Sequence, residues 1–199
     1  MAFSSDRSEK SLFPASKKPA QYVVAYTDGG ARGNPGPAGF GVYVTDQRGN
    51  RVVGLSDYLG QQTNNYAEYS ALIAALEWAL RNEHRAVQVV SDSELMVKQL
   101  RGIYKVRNEN LQPLFENAKR LIAQLGWFEV KHVLREQNRQ ADRLANEAMD
   151  KGSGKTPKAS SAPSAEPANG IYQGVVRNGV IEVVNGKLPE GTKVMIRKA

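Results

Sequence analysis

The sequence predicts an α/β fold, a mixed five-stranded sheet flanked by helices, with a small all-β module near the C-terminal end. Three observations carry this. Five short runs rich in β-branched and aromatic residues are bounded by glycine- and asparagine-rich turns. Other stretches repeat apolar residues at helical spacing, as in Ala67, Ala71, Leu72, Ala75, Leu76 and Ala79. Beyond Lys151 the chain turns to Ser, Ala, Pro, Lys and Gly, a linker composition, before β-rich runs resume.

Taken in order, residues 1–20 scatter Ser, Lys and Pro without a period and are expected to be disordered. Tyr22 to Tyr26 reads as a strand that ends at Thr27-Asp28-Gly29-Gly30, and Gly33-Asn34-Pro35-Gly36-Pro37 reads as an extended turn. Phe40 to Thr45 and Arg51 to Leu59 continue a meander, joined by a turn at Asp46-Gln47-Arg48-Gly49-Asn50. A helix is predicted from Asn65 to about Leu80, a strand from Ala86 to Ser91, and a short helix from Ser93 to Leu100 that Gly102 stops. Leu114, Phe115, Ala118, Leu121, Ile122 and Leu125 mark a helix over 110–125, followed by a strand from Trp127 to Leu134 and a helix from about Asn138 to Met149. The order βββαβααβα gives the sheet-and-helix layers, so residues 21–150 are read as one domain. Residues 151–169 are read as a linker and 170–199 as a β module with strands at Ile171–Val176, Val180–Val184 and Lys193–Ile196, the first two joined at Asn178-Gly179. Three strands bury too little to stand alone, so the module is expected to dock, dimerise or remain marginal.

The 199 residues, 41% of them apolar, can bury one good core. There is no cysteine, which excludes disulfides, thiolate metal sites and cysteine nucleophiles and makes a reducing, cytoplasmic setting the expectation. No apolar run approaches the roughly 20 residues of a membrane span, so no membrane partner is expected. The formal charge of +7 invites a nucleic-acid reading. Its location is more telling: residues 1–20 carry +2, 21–150 are neutral and 151–199 carry +5. A neutral domain that handles polyanions must gather its carboxylates in one place, where metal ions could neutralise them.

Four acidic residues stand at element ends. Each has an ordinary explanation: Asp28 before two glycines could serve an Asx-turn; Glu68 could complete a capping box with Asn65; Asp92 could decorate a helix start capped by Ser91 and Glu94; Asp142 could pair with Arg143 at the surface. Glu68, however, lies on the apolar stripe of its helix and points toward the sheet, where an unpaired charge is costly. In a mixed sheet, strand ends and the adjacent helix starts meet at one edge. Four hard carboxylates there suit Mg²⁺ or Mn²⁺. Two such ions about 4 Å apart can activate a water and stabilise the leaving 3′-oxygen of a phosphodiester, without cysteine or histidine.

These residues resemble the type 1 ribonuclease H family. Tyr26-Thr27-Asp28-Gly29-Gly30 with Gly33-Asn34-Pro35-Gly36 is similar to its first motif and following loop, Thr63-Asn64-Asn65-Tyr66-Ala67-Glu68 to its second, Ser91-Asp92-Ser93 to its third and Asn138-Arg139-Gln140-Ala141-Asp142 to its fourth. The resemblance covers residues 22–150 in order and implies the ribonuclease H-like fold. It further implies an endonuclease, a hydrolase cutting the RNA strand of RNA–DNA hybrids to 5′-phosphate and 3′-hydroxyl ends. Asp28, Glu68, Asp92 and Asp142 resemble its metal-binding catalytic tetrad, which would hold two Mg²⁺ ions, with Mn²⁺ as a substitute. Main chain at Gly29 and the side chains of Asn34, Asn64 and Asn65 resemble its groove contacts, where amides can read 2′-hydroxyls. Turn and cap roles for the asparagines are compatible with that.

The chain departs from many relatives in three places. Leu100-Arg101-Gly102-Ile103-Tyr104-Lys105-Val106-Arg107 passes straight toward the next helix where a basic helix is common, leaving Arg101, Lys105 and Arg107 as candidate phosphate contacts. His132 falls within the apolar pattern of the last strand and reads as structural, whereas Arg135, seven residues before Asp142, resembles the arginine that stands for the loop histidine in a branch lacking the basic helix. Arg135 is therefore the expected assisting residue. Glu94 stands where relatives can carry a substrate-contacting glutamine. The C-terminal module resembles small antitoxin-like β modules through Asn178-Gly179-Val180-Ile181 and Leu188-Pro189-Glu190-Gly191-Thr192, and its charge fits either added nucleic-acid affinity or a solvated dimerisation module. The catalytic domain is expected to be monomeric. Broader cleavage that includes double-stranded RNA, and a non-catalytic nucleic-acid binding protein, are the alternatives.

Overall fold

The computed structural model describes residues 17–153, together with the backbone of 174–177 and 180–183. The expectations for residues 1–16, for the linker from 154 and for a third C-terminal strand lie outside the described residues. The chain divides into two units, residues 1–157 and 158–199.

In the first unit, β1 (Val23–Ala31), β2 (Gly36–Asp46), β3 (Arg51–Gln62), β4 (Ala86–Ser91) and β5 (Trp127–His132) form one sheet in the order β3-β2-β1-β4-β5. The first three strands pair antiparallel, while β4 runs parallel to both β1 and β5. Helices α1 (Asn64–Arg81), α2 (Glu94–Leu100), α3 (Gln112–Ile122) and α4 (Arg139–Gly152) complete the unit. The predicted mixed sheet flanked by helices is present.

The main core lies between the sheet and the α1–α3 side. Val42, Val44, Val87 and Val89 of the strands, and Leu72, Ala75 and Leu76 of α1, are fully buried with Met96, Val97 and Leu100 of α2. Helix α4 packs on the opposite face through Ala141, Ala145, Ala148 and Met149. Successive glycines report the two faces, because neighbouring side chains of a strand alternate. A Cβ on Gly29 would run into Ala67 of α1, and one on Gly30 would meet Met149 of α4.

Several bounds differ from the sequence reading, for tertiary reasons. β1 does not stop before Asp28 but continues to Ala31, because β2 starts early and offers partners as far as Ala38. β3 likewise runs to Gln62, opposite Gly36. α3 begins at Gln112, with Pro113 in its first turn, and ends at Ile122. Its predicted last turn tightens instead, with Gln124 donating to Leu121 O and Leu125 to Ile122 O. β5 ends at His132, opposite Ser91, where β4 itself ends, so Leu134 is left 67% exposed rather than in the strand. The expected turn at 46–50 is closed by the Asp46 carboxylate, which accepts from the backbone N–H of Arg48 and Asn50 at 2.8 and 2.9 Å.

In the second unit, β6 (Gly174–Arg177) and β7 (Val180–Val183) pair antiparallel with Arg177 opposite Val180. This matches two of the expected strands; Asn178-Gly179 lies outside the described residues.

Candidate active site

The parallel ladder between β1 and β4 ends with Thr27 opposite Ser91. Asp28 and Asp92 follow these two residues, so two carboxylates stand side by side where β4 ends and β1 runs on paired with β2 alone. Two close approaches bring the others. Gly29 permits the start of α1 to touch β1, since a Cβ there would lie 2.2 Å from Ala67 C and Glu68 N. Gly41, opposite Asp28 in the ladder, does the same for α4, where a Cβ would lie 2.2 Å from Ala141 O and 2.5 Å from Ala145 N. Asp142 rides in on the first turn of α4, and Glu68 just past the first turn of α1. No larger residue fits at either glycine without pushing a helix, and its carboxylate, away.

Each acidic side chain is then held by a different device, and the helix starts are not capped as the sequence suggested. Thr63, not Asn65, caps α1, accepting from Tyr66 N at 3.2 Å. Glu68 is thereby released from a capping box: it accepts from Asn64 Nδ2 at 3.0 Å and from the Ser93 hydroxyl. Ser93, not Ser91, caps α2, accepting from Met96 N at 3.3 Å while its hydroxyl donates to Glu68. Glu94 pairs with Lys98 at 2.7 Å on the exposed side of α2. Asp92 accepts from Asn138 Nδ2 at 2.8 Å. Asp142 pairs with Arg135 at 2.5 Å and not with Arg143, which reaches Glu147 at 3.7 Å.

The electrostatics tie the four together. Burial pushes the Asp28 carboxyl from its ordinary 3.8 up to about 7; Asp92 and then Asp142 push the same way, Arg135 pulls it down, and Glu68 adds a further upward push. Burial likewise raises Glu68 from 4.5 to about 7, against the lowering effect of the Ser93 hydroxyl and with Asp92 adding to the rise. Acids with pKa values raised by burial and by one another mark a place where charge is concentrated against its own preference. As they stand, no three acidic or histidine side chains among the described residues are close enough to cage an ion. Three of them are engaged by protein partners: Asn64 and Ser93 on Glu68, Asn138 on Asp92, Arg135 on Asp142. The donor set itself suits a hard divalent cation, with carboxylate oxygens only, from four elements converging on one sheet end.

The asparagines marked by the sequence fall beside this cluster. Asn34 Oδ1 accepts from Asn64 N at 3.1 Å, linking the loop after β1 to the start of α1, and Asn65 occupies the next position in that first turn. Arg135 stands in a short 3-10 turn, Arg135–Gln137, with a side chain 72% exposed apart from its Asp142 contact. His132 is not the buried strand residue its pattern suggested: it is exposed at the end of β5. Arg101 donates to Val130 O at 3.1 Å, while Lys105 and Arg107 are exposed. Sequence reasoning missed Ser93 and Asn138. The signals available were that both are small polar residues one or four positions from a marked carboxylate and that both fall inside the motifs quoted for it.

The model for the family described as "Reverse transcriptase-like" matches residues 26–148, which contain all four carboxylates. A bifunctional protein of Mycobacterium tuberculosis is 41% identical over 147 residues, 73% of this chain but 39% of that protein. Ribonuclease HI of Halobacterium salinarum is 41% identical over 128 residues, 64% of this chain and 64% of that protein. The chain thus spans less than two thirds of these relatives. Among solved structures, LC11-RNase H1 in complex with an RNA/DNA hybrid superposes with a TM-score of 0.63 at 44% identity, over 66% of this chain and 99% of that one.

Proposed function

The chain belongs to the type 1 ribonuclease H family, and from that membership we propose that residues 21–150 form an endoribonuclease that hydrolyses the RNA strand of RNA–DNA hybrids, leaving 5′-phosphate and 3′-hydroxyl ends. The observation that carries the reading is the convergence of Asp28, Glu68, Asp92 and Asp142 on one sheet end, with Asp28 and Glu68 raised to about 7 by burial and by their neighbours' charge. Four mutually repelling carboxylates make little sense there unless cations join them.

Asp28, Glu68, Asp92 and Asp142 would hold two Mg²⁺ ions, or Mn²⁺ in their place, which supply activation of a water and stabilisation of the leaving 3′-oxygen. The chain's own residues do the rest. Ser93 and Asn64 fix both oxygens of Glu68, so that its carboxylate keeps one orientation at the sheet end. Arg135 holds Asp142 and lowers the cost of its charge beside Asp28. Being largely exposed, Arg135 can also leave Asp142 and offer its guanidinium to a substrate phosphate, the assisting role proposed for it. Main chain at Gly29 and the amides of Asn34, Asn64 and Asn65 would contact the shallow groove, where 2′-hydroxyls distinguish RNA from DNA. Asn34 Oδ1 accepts from the main-chain N–H of Asn64, which ties the loop after β1 to the start of α1 on this side of the site.

A gel assay on matched hybrid, RNA duplex and DNA duplex, each with Mg²⁺, Mn²⁺ or EDTA, tests the reading. Metal-dependent cutting of the hybrid's RNA strand is expected, with EDTA silencing it. Equal cutting of the RNA duplex would make the enzyme the broader ribonuclease, and cleavage of none of the three would leave a binding protein on this fold.

A further inference from the structure

Asn138 stands at the N-cap position of α4, yet its side chain makes no capping bond to that helix. This is unexpected for asparagine, among the best capping residues. The side chain turns inward instead and is 1% exposed. Both of its amide hydrogens are used: Nδ2 donates to Thr27 O at 2.9 Å and to Asp92 Oδ1 at 2.8 Å. Both partners can only accept, so the orientation of the amide is fixed by chemistry. The cost is visible too, since Asn138 Oδ1 is buried without a hydrogen-bond partner. A residue placed for stability alone would cap the helix and leave no buried oxygen unpaired.

We infer that Asn138 is a positioning residue for the proposed metal centre: it ties the Asp92 carboxylate to Thr27, the last residue of β1 that pairs with β4 and the neighbour of Asp28, and couples both to the helix that bears Asp142. The inference rests on the proposed metal-dependent reading of the site. Three of the four carboxylate-bearing segments meet at this single residue, two through its side-chain amide and one through its main chain. The main chain of Thr27 fixes the exit of Asp28, Asp92 receives the second hydrogen, and the residue's own carbonyl accepts from Asp142 N at 3.1 Å. Without the amide, Asp92 would keep its place in the chain but lose the bond that selects its rotamer. Ligands that must be reoriented for each binding event bind more weakly and react more slowly.

The test uses the full chain as wild type, Asn138→Ala and the isosteric Asn138→Asp, with two readouts: Mn²⁺ titration followed by calorimetry, and single-substrate kinetics on a matched hybrid in Mg²⁺. Both variants are expected to fold with a lowered metal-free melting temperature, more so for Asn138→Asp, which buries a carboxylate against Asp92, to bind Mn²⁺ about 10- to 100-fold more weakly, and to lose kcat by a similar factor with KM for the hybrid within about twofold. Asn138→Asp should be the weaker of the two, because it replaces the donor with a second acceptor facing Asp92. Wild-type Mn²⁺ affinity and kcat in either folded variant would overturn the assignment while leaving the proposed activity standing. Failure of both variants to fold would overturn it as well, by making Asn138 a folding residue. An inactive wild type would sink the proposed activity, and the calorimetric comparison would then still decide whether Asn138 governs cation binding.

Discussion

Asp28 and Glu68 set the sharpest expectations because their pKa values are raised, not lowered. A carboxyl whose folded-state pKa lies above its unfolded one keeps its proton longer in the native state, so across the window from the ordinary 3.8 to about 7 the unfolded state binds fewer protons. The contribution of Asp28 to stability therefore falls as pH rises through that window and levels off above it. Thermal unfolding in EDTA should show the metal-free protein losing part of its stability between about pH 4 and 7, by about 1–3 kcal/mol. Asp28→Asn should remove much of that loss and raise the metal-free melting temperature at pH 8, while abolishing Mg²⁺-dependent hybrid cleavage. A variant that melts lower at pH 8 and still cuts at the wild-type rate would contradict both expectations. Cleavage by the wild type should rise with pH toward and past 7, since protonated carboxyls cannot ligate a cation. Arg135 differs in kind: its contact with Asp142 is exposed, so Arg135→Ala should change stability by less than about 1 kcal/mol. Its effect belongs in kcat, and an unchanged kcat would remove it from the list of assisting residues.

At the scale of elements, two glycines do what no carboxylate can do for itself. Gly41→Ala would drive a Cβ to 2.2 Å from the Ala141 carbonyl oxygen, so α4 must move and carry Asp142 with it. A loss of about 2–4 kcal/mol in urea unfolding is expected, with cleavage falling more than stability alone explains. Retained activity in a folded Gly41→Ala protein would show that the seat of α4 does not set the site. The capping residues separate along the same line. Thr63→Ala removes only the cap of α1, at about 1 kcal/mol, whereas Ser93 also donates to Glu68, so Ser93→Ala should cost activity beyond its effect on α2. Helix and strand types were legible from periodicity, but these cap assignments were not. Asn65 and Ser91 are capping residue types next to an apolar repeat, as Thr63 and Ser93 are, and only the entry angle of the chain chooses between them.

For the whole molecule, the segregation of charge matters most. Residues 21–150 are neutral, and a charge of +5 follows them in the tail of residues 151–199. If that tail adds phosphate contacts, deleting residues 151–199 should weaken hybrid binding and reduce the dependence of log K on log salt, with kcat preserved at saturating substrate. An unchanged slope and affinity would assign the tail to self-association or stability instead. The pairing of β6 with β7 shows that part of this segment forms structure of its own, which is compatible with either outcome.

The sequence by itself determined the chemistry that is available here: hard oxygen ligands without thiols, their order along the chain, and elements whose ends bear them. It did so because residue type and local period are written in short windows. Tertiary structure alone decided how those groups are held. That β1 runs past Asp28 follows from where β2 begins, that Glu68 is free of its helix cap follows from Thr63, and that His132 is exposed while Asn138 is buried follows from where β4 ends and α4 lands on Gly41. Each is a contact between residues distant in sequence, fixed by which backbones can approach, and no local window contains both partners.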